Sequence, residues 1–132
     1  MYVDGFVVPV PKKNLAAYRK MSMKAGKIWM ENGALEYHEC VADDVPDGKV
    51  TSFPMSVKVK PGEVVVFSWI TYKSRSQRDR INKAVMADPR LAASAPKTMP
   101  FDGQRMIFGG FKPFLSLQAK PARAKAKNGR RA

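Results

Sequence analysis

The chain has 132 residues, of which 45% are hydrophobic, and its 24 basic and 11 acidic side chains give a net charge of +13. This length suits one domain with a hydrophobic core, and the composition argues against wholesale disorder. No apolar run approaches the roughly 18–20 residues that a membrane-spanning helix needs. The start of the chain lacks the basic segment of a signal peptide, and the single cysteine, Cys40, permits no disulfide within the chain. We therefore expect a single-domain cytoplasmic protein.

The positive charge is concentrated at the C-terminal end. Residues 118–132 contain no acidic side chain and no large apolar one. Their six basic side chains are Lys120, Arg123, Lys125, Lys127, Arg130 and Arg131. Such a segment is too polar to pack against a core. We expect residues 1–117 to form the domain and residues 118–132 to form a disordered basic tail.

The first part of the chain predicts a strand, a helix and a second strand. Residues 2–10 are β-branched and aromatic, which favours a strand. From Asn14 onward, apolar residues recur at steps of three and four, which predicts an amphipathic helix. Gly33 stands where a left-handed helix cap would fall. Residues 34–42 then predict the second strand.

The remainder of the chain begins with a turn. Residues 45–48 read Val-Pro-Asp-Gly, with proline and glycine in the positions that a type I turn favours. The alternating residues 55–60 predict a short extra strand, and the hydrophobic residues 63–72 predict a buried one. A helix with a serine cap follows and ends at Asp88, before a proline. Residues 105–111 predict the last strand.

This element order is β-α-β-(β)-β-α-β, the ferredoxin-like plan of the α+β class. It consists of one antiparallel sheet with two helices on one face. The strand at residues 63–72, like the first strand, is apolar on both sides, so one face of the sheet can pack against the helices while the other face needs a partner. We expect that partner to be a second copy in a closed homodimer. The two alternating sets of this strand are Val65, Phe67 and Trp69 on one side and Val64, Val66 and Ile70 on the other.

Three aspartates near the first turn raise the question of a metal site. Asp43, Asp44 and Asp47 could offer oxygen ligands to a hard cation, but their spacing is not that of a calcium loop. Aspartates beside such a turn usually accept backbone N–H groups. One histidine and one cysteine practically exclude zinc. We interpret the loop as a structural turn or dimer contact and expect neither a metal nor a cofactor.

Among the short motifs of the sequence, the triplet His-Glu-Cys at residues 38–40 most resembles a nucleophilic catalytic site. Strand alternation places His38 and Cys40 on one face and Glu39 on the other. A histidine can activate a cysteine thiolate within hydrogen-bond reach, but alternate strand residues are roughly 6.5–7 Å apart. A lone cysteine in a strand is more often a small core residue. We therefore predict that Cys40 is buried and unreactive.

Charges inside apolar strands are more informative. Asp4, Glu39 and Arg105 each interrupt such a strand, and a buried charge costs several kcal/mol unless it is paired. They should pair with one another, face a solvated pocket or lie at the dimer interface. Glu39 would then be the natural general base. The candidate catalytic residues are Glu39, His38, Cys40 and Arg105.

Aromatic residues and methionines could line an apolar ligand cavity or simply pack the core, and the sequence favours the second alternative. The aromatic residues in question are Trp29, Tyr37, Trp69 and Tyr72. The candidate ligand-binding residues are Asp4, Trp69, Tyr72 and Arg105.

Five segments together resemble the YbaA-like bacterial proteins, a domain family of unknown function. They are 2-YVDGFVV-8, 42-ADDVPDGKVT-51, 67-FSWI-70, 88-DPR-90 and 99-MPFDGQRMIFGGF-111. The resemblance covers about residues 1–113 and leaves out the basic tail and His38. It implies the fold of the dimeric α+β barrel superfamily and a homodimer. It implies no reaction, since that superfamily includes cofactor-free monooxygenases, isomerases, heme-dependent enzymes and ligand-binding proteins.

Three functions remain open at this point. The leading hypothesis is a homodimer that binds a small organic ligand in a cleft between sheet and helices. The second is a nucleic-acid-associated protein that binds phosphate charge through its basic tail, which contains no aromatic residue for base stacking. The third is a cofactor-free monooxygenase or isomerase.

Overall fold

In the computed structural model, which describes residues 1–93 and 99–121, four strands form one antiparallel sheet. The strands are β1 (Tyr2–Pro11), β2 (Glu36–Val41), β3 (Glu63–Tyr72) and β4 (Ile107–Phe111). Their order across the sheet is β2-β3-β1-β4, so that β1 and β3 are central and β2 and β4 lie at the edges. This arrangement confirms the predicted ferredoxin-like α+β fold.

Two long helices cover one face of the sheet. They are α1 (Leu15–Glu31) and α3 (Arg75–Ala87); the short helices α2 (Phe53–Ser56) and α4 (Pro89–Ala93) complete the described set. Helix α1 ends at Glu31, and Gly33, which follows the capping residue Asn32, has a φ of 111°, the left-handed conformation expected there. Ser74 caps α3, since its Oγ accepts the backbone N–H of Gln77 at 3.2 Å.

The core lies between these helices and the sheet. One buried cluster joins α1 and α3 to β3 and consists of Ile28, Ala34, Ile70, Tyr72, Ile81 and Val85. A second cluster joins α1 to the other end of the sheet and consists of Val8, Val10, Tyr18 and Val66. Val66 and Ile70 therefore face the helices, as one of the two predicted alternating sets requires.

The predicted extra strand at residues 55–60 is wrong. The chain instead forms α2, and the Oγ of Ser52 accepts the backbone N–H of Met55 at 3.1 Å. A serine cap followed by Pro54 in the first turn favours the start of a helix, and this local signal prevails over the alternation of apolar residues. Val57 then packs onto the sheet face that the long helices leave open.

We call this surface the helix-free face. Val57 covers Val7 and Val65 there, but other positions on this face carry large exposed side chains. Phe67 is 42% exposed and Ile107 45% exposed, and strand register places both on this face. The single chain thus leaves a substantial apolar surface uncovered.

The last strand begins at Ile107 rather than at residue 105, because Gly103–Arg105 forms a 3-10 turn capped by Asp102. Of the six basic residues predicted for the tail, Lys120 lies within the described part. Arg123, Lys125, Lys127, Arg130 and Arg131 lie outside the described residues.

Candidate functional site

A cavity of about 360 Å³ lies between α1 and the helix-covered face of the sheet. Helical spacing of three and four residues turns one side of α1 toward it, and this side includes Met21 and Ala25. Phe6 and Ile70 line it from β1 and β3. The wall is mainly apolar, and among its described lining residues Glu39 is the one acidic group.

Glu39 is held by two tyrosines. It lies on β2, where alternation points its side chain toward α1. The hydroxyl of Tyr18 on α1 donates to Glu39 Oε1 at 2.8 Å, and the hydroxyl of Tyr37 on β2 donates to Oε2 at 2.8 Å. Neither bond involves a cation, and the described ion pairs include no partner for Glu39. Each carboxylate oxygen keeps a lone pair for a further donor.

Burial strongly raises the pKa of both Tyr18 and Tyr37, and the negative charge of Glu39 raises it further. Both hydroxyls therefore keep their protons throughout the neutral range. Their protons point at Glu39, so their oxygens offer only lone pairs to a third group.

A second, more open cavity of about 620 Å³ lies between α1 and the edge strand β2. It shares Ser22, Tyr37 and Glu39 with the inner cavity. Gly26 permits this arrangement, because a Cβ atom at that position would lie 3.0 Å from the ring of Tyr37. Glu39 therefore borders open space on two sides.

A second carboxylate on the same sheet face has a different environment. Asp4 is buried, and Arg78 of α3 donates to it from Nη2 at 2.8 Å and from Nε at 3.0 Å. The hydroxyl of Tyr72 also donates to Asp4, at 2.9 Å. The hydrogen bonds from Arg78 to Asp4 raise the pKa of the guanidinium, so Arg78 stays charged. The opposing Gly110 leaves no room for a ligand, since even a Cβ atom there would lie 2.7 Å from Arg78 Nη2.

Arg105 forms a third polar cluster. It donates to both carboxylate oxygens of Glu63, at 2.8 and 2.6 Å, and to Asp102 at 2.9 Å. The hydrogen bond from Arg105 lowers the pKa of Glu63, so the pair is charged at neutral pH. This cluster joins the turn before β4 to the start of β3, and Arg105 does not line the inner cavity.

Comparison with known proteins identifies the family to which this chain belongs. Residues 1–103 match the model of a family described as "Protein of unknown function (DUF1428)". The chain belongs to this family. It is 54% identical over 114 residues to "Uncharacterized protein YbaA" of Escherichia coli K12, a match that covers 86% of the chain and 97% of that protein. A Shigella flexneri protein of the same description matches equally well. The predicted YbaA-like membership is confirmed.

Solved structures are similar in fold. An uncharacterized NIPSNAP domain protein from Burkholderia xenovorans has a TM-score of 0.59 and 18% identity, over 90% of this chain and 100% of that one. A NIPSNAP family protein of unknown function from Agrobacterium tumefaciens has a TM-score of 0.53 and 18% identity, over 89% and 94% of the two chains. At such low identity these similarities establish the fold alone.

The DUF1428 chain separates the residues of the predicted triplet. Glu39 faces the cavity, whereas His38 and Cys40 lie on the helix-free face, where the His38 ring stacks on Trp69 with centroids 4.6 Å apart. Cys40 is exposed in the single chain, so its predicted burial is wrong there. The physical reason is that β2 is an edge strand and its outward face has no helix over it.

The predicted ligand-binding residues do not meet at one place. Tyr72 donates a hydrogen bond to Asp4, which also accepts from Arg78. Trp69 lies on the helix-free face, and Arg105 belongs to the cluster with Glu63 and Asp102. Sequence reasoning missed the role of Tyr18. The position of Tyr18 in the apolar stripe of the first helix could have indicated this role, because a buried tyrosine usually places its hydroxyl against a polar partner.

Residues 1–93 and 99–121 contain no group of three or more histidine, cysteine or acidic side chains arranged to hold a metal ion. No helix within the same ranges is both long enough and apolar enough to cross a membrane.

Proposed function

We propose that this DUF1428 protein binds a small, mainly apolar organic molecule in the inner cavity, with Glu39 as its polar anchor. The observation that supports this proposal is a carboxylate that borders an apolar cavity and that, within the described residues, is held by two neutral hydroxyls and by no cation. The volume of about 360 Å³ lies within the roughly 300–1,000 Å³ range of ligand pockets. Glu39 is half-buried beside this cavity, and its oxygens keep lone pairs for a donor that a ligand brings.

A cavity-filling variant tests the proposal. Ala25→Leu places a larger side chain of high helix propensity into the cavity. Ala17→Leu is the matched control, because Ala17 is exposed on the same helix. A thermal-shift screen of small aromatic compounds should yield molecules that stabilise the wild type and the Ala17→Leu variant but not the Ala25→Leu variant. Equal stabilisation of all three proteins would place binding elsewhere, and a screen without any hit would contradict the proposal.

Catalysis at the same site is a second candidate function. A carboxylate with free lone pairs beside an apolar cavity is suited to take a proton from a bound carbon acid, as a cofactor-free isomerase requires. Ligands from the screen would be held with the protein in D₂O and followed by NMR. If a carbon-bound proton of the ligand exchanges with solvent in the wild type but not in Glu39→Gln, the result would support catalysis. If the ligand binds without such exchange, the result would support a function in binding alone.

We further propose a homodimer that buries the helix-free face. The exposed Phe67, Ile107 and Phe111 support this, and obligate interfaces usually cover more than about 2,000 Å². Phe67→Asp should dissociate the dimer in light scattering, while Ala17→Asp on the helix side should not. A wild-type monomer at micromolar concentration would contradict the dimer. Burial in the dimer would also shield Cys40, so thiol labelling should be slow in the wild type and fast in Phe67→Asp.

The basic tail gives an alternative role in binding nucleic acid, by charge alone. If all six tail charges engage single-stranded nucleic acid, log K should fall against log salt with a slope of about −4. Deletion of residues 118–132 should remove this binding and leave the melting temperature nearly unchanged. If the full-length and truncated chains bind an oligonucleotide equally well at low salt, the tail has no role in nucleic-acid binding. The cytoplasmic location also stays a prediction, since it rests on the single cysteine.

A further inference from the structure

The polar end of the inner cavity offers mainly hydrogen-bond acceptors. Glu39 is acceptor-only as a carboxylate, and each of its oxygens already receives one tyrosine proton. The hydroxyl protons of Tyr18 and Tyr37 are already donated in these hydrogen bonds, so toward a ligand the two hydroxyl oxygens can act only as acceptors. A ligand that reaches this end must therefore bring the donor itself.

From this arrangement we infer the chemical class of the ligand, an inference that rests on the proposed function. The ligand is an apolar molecule, of the size of one substituted aromatic ring, that ends in a hydroxyl or an amino group. This group donates to Glu39, and its apolar body fills the space beside Met21 and Ala25. Molecules that end in a carboxylate or another anion are excluded from the polar end.

Charge provides the reason for that exclusion. A like charge placed beside Glu39 in a mainly apolar cavity is repelled far more strongly than it would be in water. Among the described lining residues, Lys24 is the one basic group, and its side chain lies at the exposed surface of α1. Ser22 and Ser68 also line the cavity, but a hydroxyl can act as donor or acceptor and does not reverse the preference.

A matched set of compounds tests this class. The set shares a para-isopropylphenyl body and carries a phenolic hydroxyl, an aminomethyl group, a methyl ether or a carboxylate; isopropylbenzene is the compound without a head group. Dissociation constants would be measured by calorimetry with the full-length wild type and with Glu39→Gln. Glutamine keeps the size of the side chain but brings its own N–H donors and no charge.

The two donor compounds should bind the wild type at least tenfold more tightly than the ether, and the carboxylate should bind most weakly. In Glu39→Gln the advantage of the donors over the ether should shrink to within about threefold, and the carboxylate should gain affinity. The inference is overturned if the carboxylate binds the wild type as well as the phenol, or if the donor preference survives in Glu39→Gln.

Failure of this inference can be told from failure of the proposed function. If isopropylbenzene or the ether binds the wild type, loses its affinity in Ala25→Leu and is not surpassed by the donors, the cavity binds ligands but the assigned class is wrong. If none of the five compounds binds, both the class and the proposed function are contradicted.

Discussion

The helix-covered face of the sheet holds two carboxylates with opposite surroundings. Asp4 is enclosed by Arg78 and Tyr72, and a Cβ atom at Gly110, the residue across from it, would lie 2.7 Å from the Arg78 guanidinium. Glu39 receives two tyrosine hydroxyls and borders two cavities. A carboxylate whose charge is balanced by a guanidinium belongs to the structure of the protein. A carboxylate that pairs with no cation in the described part of the chain, and that lies beside open space, can accept a hydrogen bond from a ligand.

The largest effect should follow from breaking the enclosed pair. Asp4→Ala leaves the guanidinium of Arg78 without its main carboxylate, and removal of one partner from a buried pair costs about 3–5 kcal/mol. The matched control is Asp79→Ala, which removes an exposed partner of the same arginine and should change stability by less than about 1 kcal/mol. Urea unfolding measures both changes. A cost for Asp4→Ala as small as that of its control would contradict the structural role assigned to Asp4.

Alkaline pH should destabilise the fold through the buried tyrosines. Burial raises the pKa of Tyr18, Tyr37 and Tyr72 above the ordinary value, so the unfolded chain loses these protons first as the pH rises. The stability contributed by these groups is present below a pH of about 10 and declines above it, by up to about 1.4 kcal/mol per pH unit for each tyrosine.

Absorbance at 295 nm measures the ionised tyrosines directly. Three of the four tyrosines should stay protonated until the chain unfolds, and urea midpoints should fall between pH 10 and pH 11.5. Full ionisation of all four tyrosines near pH 10 in the folded protein would contradict the burial of the hydroxyls at Glu39 and Asp4.

Removal of one hydroxyl from the open carboxylate should have a moderate effect. Tyr18→Phe deletes the donor to Glu39 Oε1 while the ring stays in the core, and a hydrogen bond to a charged group contributes about 1.5–3 kcal/mol. Part of this loss should be recovered by a bound phenol or amine, which replaces the missing donor. Calorimetry should therefore show that Tyr18→Phe keeps its donor preference, whereas Glu39→Gln does not. Loss of that preference in both variants would mean that the tyrosine itself holds the ligand.

The sequence predicted the fold because its local patterns agree with one another. The β-branched residues of β1, the apolar period of α1 and the capping serine of α3 each indicate the element that forms. The wrong prediction of an extra strand where α2 forms has a local cause as well. Six alternating residues are too few to outweigh the helix-starting signals of Ser52 and Pro54. Short segments of this kind are decided by capping and by what they cover.

The candidate site was only partly predictable. Glu39 could be identified as a charge within an apolar strand, and strand alternation placed it opposite Cys40. Its partner Tyr18 lies 21 positions away, and Arg78 lies 74 positions from Asp4. Such pairs are set by how the helices pack on the sheet, so no local pattern distinguishes a carboxylate that will meet a guanidinium from one that will meet a cavity.

The most direct test of the contrast between the two carboxylates is Glu39→Gln, measured for stability and for binding in the same preparation. We expect this variant to lose clearly less stability than the about 3–5 kcal/mol of Asp4→Ala. The amide oxygen still accepts from one tyrosine hydroxyl, the other hydroxyl can turn to accept from the amide N–H, and no buried cation loses its partner. We expect affinity for the para-isopropyl phenol to fall at least tenfold, since the charged acceptor for its hydroxyl is gone. If the variant instead unfolds as readily as Asp4→Ala, or binds the phenol as tightly as the wild type, then Glu39 is a structural group like Asp4 and the inner cavity is not its binding site.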